Sequence, residues 1–366
     1  SWTQTVEIPL TRIIHDVQNR GMYVDVERVK ELHYKWGVEE SLLRDKYPLN
    51  MNSPLQVKEF LESRSGKRMK STDKVSLMEV KNTVPEAKEI LEYRELSKLI
   101  GTYTTRFISN AVDSRIHGTF NQVGAKTGRF SSSNPNLQNI PARTRRGKEL
   151  RSCFIPPPGK HMLVGDASQI EPRIVAHFTK DPVLLQVFNN GEDFHGKVAT
   201  LAYSGTGMNP DRFVGKTVGL ASLYGASTGR LMMELRKYDV FLSYKTVDRI
   251  RTSTIAGFPT VKDWEKSFSE RSKYRGKFTT IGGRDIPYKE GFPAFNTLIQ
   301  GSCADYIKLC VLGLTGAMFS IVNVIHDEII CYEDTDRSKE MKDIMEAAVS
   351  LCVPVKCEVL SVKSWA

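Results

Sequence analysis

Two late apolar runs, Ile321-Val-Asn-Val-Ile325 and Glu328-Ile-Ile-Cys-Tyr332, are separated only by His326 and Asp327. β-Branched runs joined by two residues predict an antiparallel hairpin, because so short a link leaves no room for a crossover. Two-residue hairpin tips favour Asn-Gly or another glycine pair; this one is polar and ends on an acid. A third apolar run, His161-Met-Leu-Val-Gly165, reads as a buried strand closing on Asp166, followed by a helix through Ile170, Ile174, Val175 and Phe178. The C-terminal end of a strand is a common place for chemistry. Either aspartate alone would pass as a cap or a solvated charge. A pair brought together by a sheet has a specific use, because two Mg²⁺ ions about 3.5–4 Å apart stabilise both the attacking and the leaving oxygen of a phosphoryl transfer.

The length of 366 residues allows two or three cored units, and a 40% hydrophobic, 26% charged composition excludes disorder as the main theme. A formal charge of +10 points to a polyanionic partner, although solubility alone explains many basic chains. The six cysteines are scattered without a Cys-x-x-Cys pair, which argues against a disulfide scaffold or a structural zinc site. The longest uncharged stretch, Leu309 to Ile325, carries Thr315, Ser320 and Asn323 and falls short of the roughly 20 apolar residues of a membrane span. No signal peptide is recognisable, and an opening on Ser1 rather than Met is expected of an excised or processed piece. No repeat of fixed period occurs.

Along the chain, residues 10 to 48 read as helical around an extended Gly21–Asp25 stretch. Pro54 opens a helix with Leu55, Val57, Phe60 and Leu61 on one face, and a Glu-, Lys- and Leu-rich helix runs from Pro85 to Ile108. The basic stretch from Arg64 to Lys74 lies between them, giving a helical hairpin with a basic tip. Residues 123 to 151 hold seven cations against Glu149 alone and are rich in Gly, Asn, Ser and Pro, so they read as a structured basic loop. A solvated surface is its plain reading; the Asn and Gln side chains beside arginines also suit phosphates and base edges. Residues 183 to 270 read as largely helical, Phe278 to Pro287 as extended, and Phe295 to Thr315 as a helix.

In Asp211-Arg-Phe-Val-Gly-Lys-Thr-Val-Gly-Leu-Ala-Ser-Leu-Tyr-Gly225, helical spacing puts Arg212, Lys216, Leu220 and Tyr224 on one slowly rotating stripe. An amphipathic helix with a solvated cationic end explains it; so does a surface for a triphosphate, a sugar and a base. Gly215 and Gly219 each weaken a helix by about 1 kcal/mol relative to Ala, which close approach by a neighbour would justify. Gly191 to Val198 nearly matches a phosphate-binding P-loop, but Val198 replaces the Mg²⁺-binding hydroxyl and no strand precedes it.

Together these blocks resemble the polymerase portion of the family A, DNA polymerase I-like, DNA polymerases. Thr127-Gly-Arg-Phe-Ser-Ser-Ser-Asn-Pro-Asn-Leu-Gln-Asn-Ile-Pro141 resembles the loop before the first acid, and Asp166-Ala-Ser-Gln-Ile-Glu-Pro-Arg173 resembles motif A. Arg212 to Gly225 resembles motif B, the O helix, and Val324-Ile-His-Asp-Glu328 resembles motif C. All four occur in the family's order over almost the whole chain.

The resemblance implies an α+β right-hand fold, with a palm of antiparallel sheet plus helices, a helical thumb and helical fingers. The palm would take residues 1–48, 114–187 and 284–366, the thumb 49–113 and the fingers 188–283. It implies two Mg²⁺ ions, replaceable by Mn²⁺, on Asp166, the Ala167 carbonyl, Asp327 and Glu328. The primer 3′-hydroxyl would attack the α-phosphate of a dNTP and release pyrophosphate, with Lys216 protonating the leaving group. Gln169, Glu171, His195, Arg212, Lys216, Leu220 and Tyr224 would surround the dNTP. Glu171 would be a steric gate against a 2′-hydroxyl, although Ser168-Gln-Ile-Glu171 also fits a capping box and both roles can coexist. Arg129, Gln138, Asn139, Asn296, Gln300 and His326 would face the DNA, where minor-groove acceptors are nearly degenerate and donors can test pairing without reading sequence.

Departures from the pattern are Ala167 for an aromatic, Pro172 for Leu, Phe213 for a second Arg, and Gly219-Leu220-Ala221 for Asn-Phe-Gly. Leu220 in place of the aromatic predicts lower tolerance of dideoxynucleotides than in Tyr-bearing relatives. No Asp-x-Glu exonuclease block precedes motif A, so proofreading is expected to be absent from this stretch. Primer-template DNA and dNTPs are the expected partners, with a processivity factor or a helicase/primase as the protein partner, no membrane and a monomeric state. The expected setting is the cytoplasm of a bacterial or phage-infected cell or an organellar matrix, and Leu220 with the short chain leans towards a phage or virus. A reverse transcriptase, a translesion or repair polymerase and an inactive DNA-binding relative are the alternatives.

Overall fold

The longest strands pair into one antiparallel sheet in the order Cys357–Val362, His161–Ala167, Glu328–Glu333, Ile321–Ile325. The computed structural model describes residues 1–290 and 293–366. The expected hairpin forms with His326 at its tip in a left-handed conformation (φ 54°). Every residue of Ile321–Ile325 is buried, because the helices Ile8–Arg20 and Ala294–Gly316 pack against that strand. The helix Ser338–Ala347 covers His161–Ala167 and Cys357–Val362. Gly165 permits that approach: a Cβ there would lie 2.7 Å from both Met341 and Met345.

The contacts divide the chain into two compact units. The first comprises residues 1–26, 110–194 and 258–366 and contains the sheet; the second comprises 27–109 and 195–257 and is helical. In the second unit, Pro54–Ser65, Lys74–Val80 and Glu86–Lys98 enclose a core of Val57, Leu61, Leu77 and Ile90. A separate core of Val214, Val218, Leu231, Val247 and Ile250 joins Arg212–Leu223, Thr228–Arg236 and Tyr244–Ala256. Two ion pairs link these stretches, Arg236–Glu79 at 2.6 Å and Lys81–Asp239 at 2.7 Å. The stretches expected to be thumb and fingers thus contribute to one unit.

Four local expectations need correction. Arg145–Arg151 is a helix rather than loop, capped by the Thr144 hydroxyl, which accepts the Gly147 N–H at 3.1 Å; a good N-cap offsets the glycine inside the turn. Leu55 is 65% exposed, so the apolar face of its helix is Val57 and Leu61. The helix expected to run unbroken from Pro85 to Ile108 is α-helical over Glu86–Lys98, widens to a π-helix over Leu99–Thr104, and is α-helical again from Thr105. The capping box at Ser168 does not form: the helix Ile170–Thr179 starts from Gln169 in a left-handed conformation with no side-chain cap, and Glu171 pairs with Arg129 instead. Among the described residues, no helix is long and apolar enough to cross a membrane.

Candidate active site

In the first unit, strand register brings the two aspartates to the same end of the sheet. Asp166 lies opposite Glu328 on one neighbouring strand and Glu358 on the other, and the Ala167 N–H donates to the Asp327 carbonyl at 3.2 Å. Desolvation first, then the charges of Asp327, Glu328 and Glu358, pushes the Asp166 carboxyl up to about 7, even though Asp166 is an exposed residue at the sheet end. Burial also raises Asp327 and Glu328. Among the described residues, neither aspartate has an ion pair with a protein cation; His326 and Arg129 offset the charge of Asp327 only in part.

Such a donor set suits a divalent cation, which would reverse the penalty of crowding like charges. Hard oxygen ligands suit Mg²⁺ or Mn²⁺. No group of three or more His, Cys, Asp or Glu gathers into a metal cage among the described residues. Glu328 is braced from another direction: its carboxylate accepts the Trp365 indole N–H at 2.9 Å, and the Arg151 guanidinium lies 4.1 Å above that indole ring. Trp365 and Arg151 did not stand out in the sequence, Trp365 because it is remote and Arg151 because it was one cation among many.

Beside the carboxylates, Arg129 forms an ion pair with Glu171 and lines a small cavity with Phe130, Ala304, Ile307 and His326. Asn296 and Gln300 are successive turns of Ala294–Gly316, and the Gln300 amide donates to Asn296 at 3.1 Å. Gln138 is buried and donates its amide to the Val324 carbonyl at 2.8 Å, which directs it into the motif C strand rather than onto an open face. Its neighbour Asn139 is exposed.

The second unit carries His195, Arg212, Lys216, Leu220 and Tyr224. Arg212–Leu223 is a helix whose N-cap Asp211 accepts the Val214 N–H at 2.9 Å; Tyr224 is its C-cap. Arg212 and Lys216 are exposed, Leu220 and Tyr224 half-buried, and Val214 and Val218 face the core, so the stripe lies opposite the packed side. The two glycines are explained by close approach. A Cβ on Gly215 would lie 2.6 Å from the Cα of Ala199, and one on Gly219 would collide with Val198, both on Phe194–Tyr203, the helix that bears His195.

The family model for DNA polymerase family A matches residues 37–366. The chain belongs to DNA polymerase family A. It is 32% identical to the thermostable DNA polymerase I of Thermus filiformis over 99% of this chain and 48% of that protein. With DNA polymerase I of Helicobacter pylori it shares 29% identity over its whole length and 44% of the relative. The chain therefore spans about half the length of the curated relatives it matches. Among solved structures it is similar to the POL domain of Pol1 from M. smegmatis in complex with DNA primer-template and dNTP. That match has a TM-score of 0.88 and 27% identity and covers 99% of this chain and 70% of that one. The expected family and α+β polymerase fold are thereby established, and family A polymerases work with divalent metal ions.

Proposed function

We propose that this family A chain catalyses primer-dependent, template-directed DNA synthesis, adding dNTPs to a 3′-hydroxyl with release of pyrophosphate. The observation that carries the reading is the pair of crowded aspartates at one end of the sheet, with the charge of Asp327 pushing Asp166 up and no salt-bridge partner for either among the described residues. Asp166, Asp327 and the Ala167 carbonyl would hold two Mg²⁺ ions, with Glu328 nearby and Mn²⁺ able to substitute. When bound, the ions supply charge stabilisation to the oxygens on either side of the transferring phosphorus.

The chain's own residues do the rest by positioning. Arg212, Lys216 and His195 hold the triphosphate, and Lys216 donates a proton to the departing pyrophosphate. Glu171, with Gln169, Leu220 and Tyr224, surrounds the sugar and base and fills the space of a 2′-hydroxyl. Arg129, Asn296, Gln300 and His326 present donors to the minor groove at the primer end. The basic residues of 64–74 and 123–151 track duplex phosphates, which makes binding steeply salt-dependent. A monomer acting with a processivity factor or a helicase/primase completes the reading.

Primer extension with Mg²⁺ on DNA and on RNA templates, with dNTPs and rNTPs, is the test. Extension on DNA with dNTPs, strongly reduced in Asp327→Ala, is expected. No extension by the native chain, or full extension by Asp327→Ala, overturns the proposal.

A further inference from the structure

Arg284 lies outside the residues given a role above, yet its side chain is mostly enclosed. It immediately precedes Asp285–Pro287, the strand that pairs with Lys277–Thr279. Its Nε donates to Oδ1 of the fully buried Asp305 at 2.9 Å, while Nη2 donates to the carbonyls of Thr127 at 2.7 Å and Gly301 at 3.1 Å. Asp305 is held in turn by the Thr280 hydroxyl and by the Gly282 N–H at 3.2 Å. Gly301 and Asp305 belong to Ala294–Gly316, the helix that carries Asn296 and Gln300. Thr127, by contrast, is two residues from Arg129. Between them Gly128 adopts φ +80°, and a Cβ there would lie 2.7 Å from the guanidinium carbon. The guanidinium therefore fills the space that the glycine leaves and bolts the Arg129 turn to the helix.

A planar fork does this where an ammonium cannot: its N–H groups point at fixed angles to a carboxylate and two carbonyls at once. We propose that Arg284 is a positioning residue for primer-end recognition, fixing the Thr127–Gly128 turn so that Arg129 is held against Glu171 and towards the minor-groove edge of the terminal pair. The proposal rests on the reading of Arg129 as a minor-groove donor. Minor-groove acceptors are correctly placed only in a Watson–Crick pair, so an anchored Arg129 favours extension of matched ends over mispaired ones. Loosening its anchor lowers that preference.

The test compares kcat/KM for extending matched and mispaired primer ends with the full chain, Arg129→Ala, Arg284→Lys and the double variant. Thermal melting monitors folding. Arg284→Lys keeps the charge beside Asp305 but loses the simultaneous donation to both carbonyls. Its matched-to-mispaired ratio is expected to fall by about tenfold, less than the hundredfold that a 1 Å misplacement can cost. Arg129→Ala should lose a similar factor, and the double variant no more than Arg129→Ala alone. A merely structural role would lower both rates together and leave the ratio unchanged.

If Arg129→Ala alters the ratio but Arg284→Lys does not, or if the two losses multiply in full, the proposal fails while the reading of Arg129 stands. An unchanged ratio in Arg129→Ala overturns both. Should Arg284→Lys fail to fold, Gly128→Ala presses a methyl against the guanidinium without removing the Asp305 pair. It is expected to show the same loss, and a native ratio in that variant overturns the proposal.

Discussion

Asp166 and Asp327 meet through a strand register that joins distant parts of the chain, whereas Arg212 and Lys216 are set one helical turn apart by local structure. The carboxylates are crowded by burial and by each other. The cations stand exposed on a helix whose opposite face is packed. The sheet end thus stores electrostatic tension in advance, at a cost in stability, and the helix Arg212–Leu223 carries charge that water tolerates. Removing charge should therefore have different structural consequences in the two places, stabilising at the sheet end and neutral on the helix, even where both removals cost activity.

The largest effect is expected from Asp327→Ala. Losing a metal contact worth several kcal/mol should slow extension by roughly a thousandfold. With repulsion relieved, the metal-free protein should melt higher than wild type, and a lower melting temperature would break the comparison. Lys216→Ala should reduce kcat by about a hundredfold, in line with the loss of one general acid. Its melting temperature should stay at the native value because the side chain is exposed.

A smaller effect, on stability first, follows from Gly219→Ala. The added methyl meets Val198, and overpacking of this kind costs about 1–3 kcal/mol. Calorimetry should show destabilisation; a native melting temperature would mean that the helices can part freely.

The pH response separates the regions by sign. The Asp166 carboxyl is raised from 3.8 to about 7, so across that window the folded state holds more protons than the unfolded one. Metal-free stability should fall as pH rises from 3.8 towards 7, and added Mg²⁺ should reverse the loss. In the helical unit, Glu89 is lowered instead, by hydrogen bonds from Lys46 and then Tyr47. Its contribution is present above its unfolded pKa and fades as pH falls through the lowered value. Melts of Glu89→Gln against wild type should converge in acid; a constant difference down to low pH would remove this contrast.

Three strands of the four-stranded sheet were legible because they are largely apolar runs beside acids, and two of them are joined by a link so short that local pairing makes a hairpin; Cys357–Val362, with Glu358 and Ser361, was not. The packed glycines of Arg212–Leu223 were legible as well: two glycines on one face of a helix need a neighbour. Interactions across long separations were not. Ser168 and Glu171 have the spacing of a capping box, yet the helix starts one residue later from a left-handed Gln169, which puts Ser168 out of register, and Glu171 pairs with Arg129. Trp365 on Glu328 and Arg284 on Thr127 join residues whose order along the chain gives no sign that they meet. Gln138 looked like a surface amide in a polar loop, but the motif C strand supplied a buried acceptor for it.

The absence of side chains at Gly215 and Gly219 has a mechanical consequence. Ala199 and Val198 press directly on the backbone of the neighbouring helix, so the helix bearing His195 and the helix bearing Arg212 and Lys216 are geared together with no compliant layer between them. A swing of one is a swing of both. The three groups proposed to grip the triphosphate would then arrive and depart as a single jaw, which makes a half-engaged nucleotide a short-lived state.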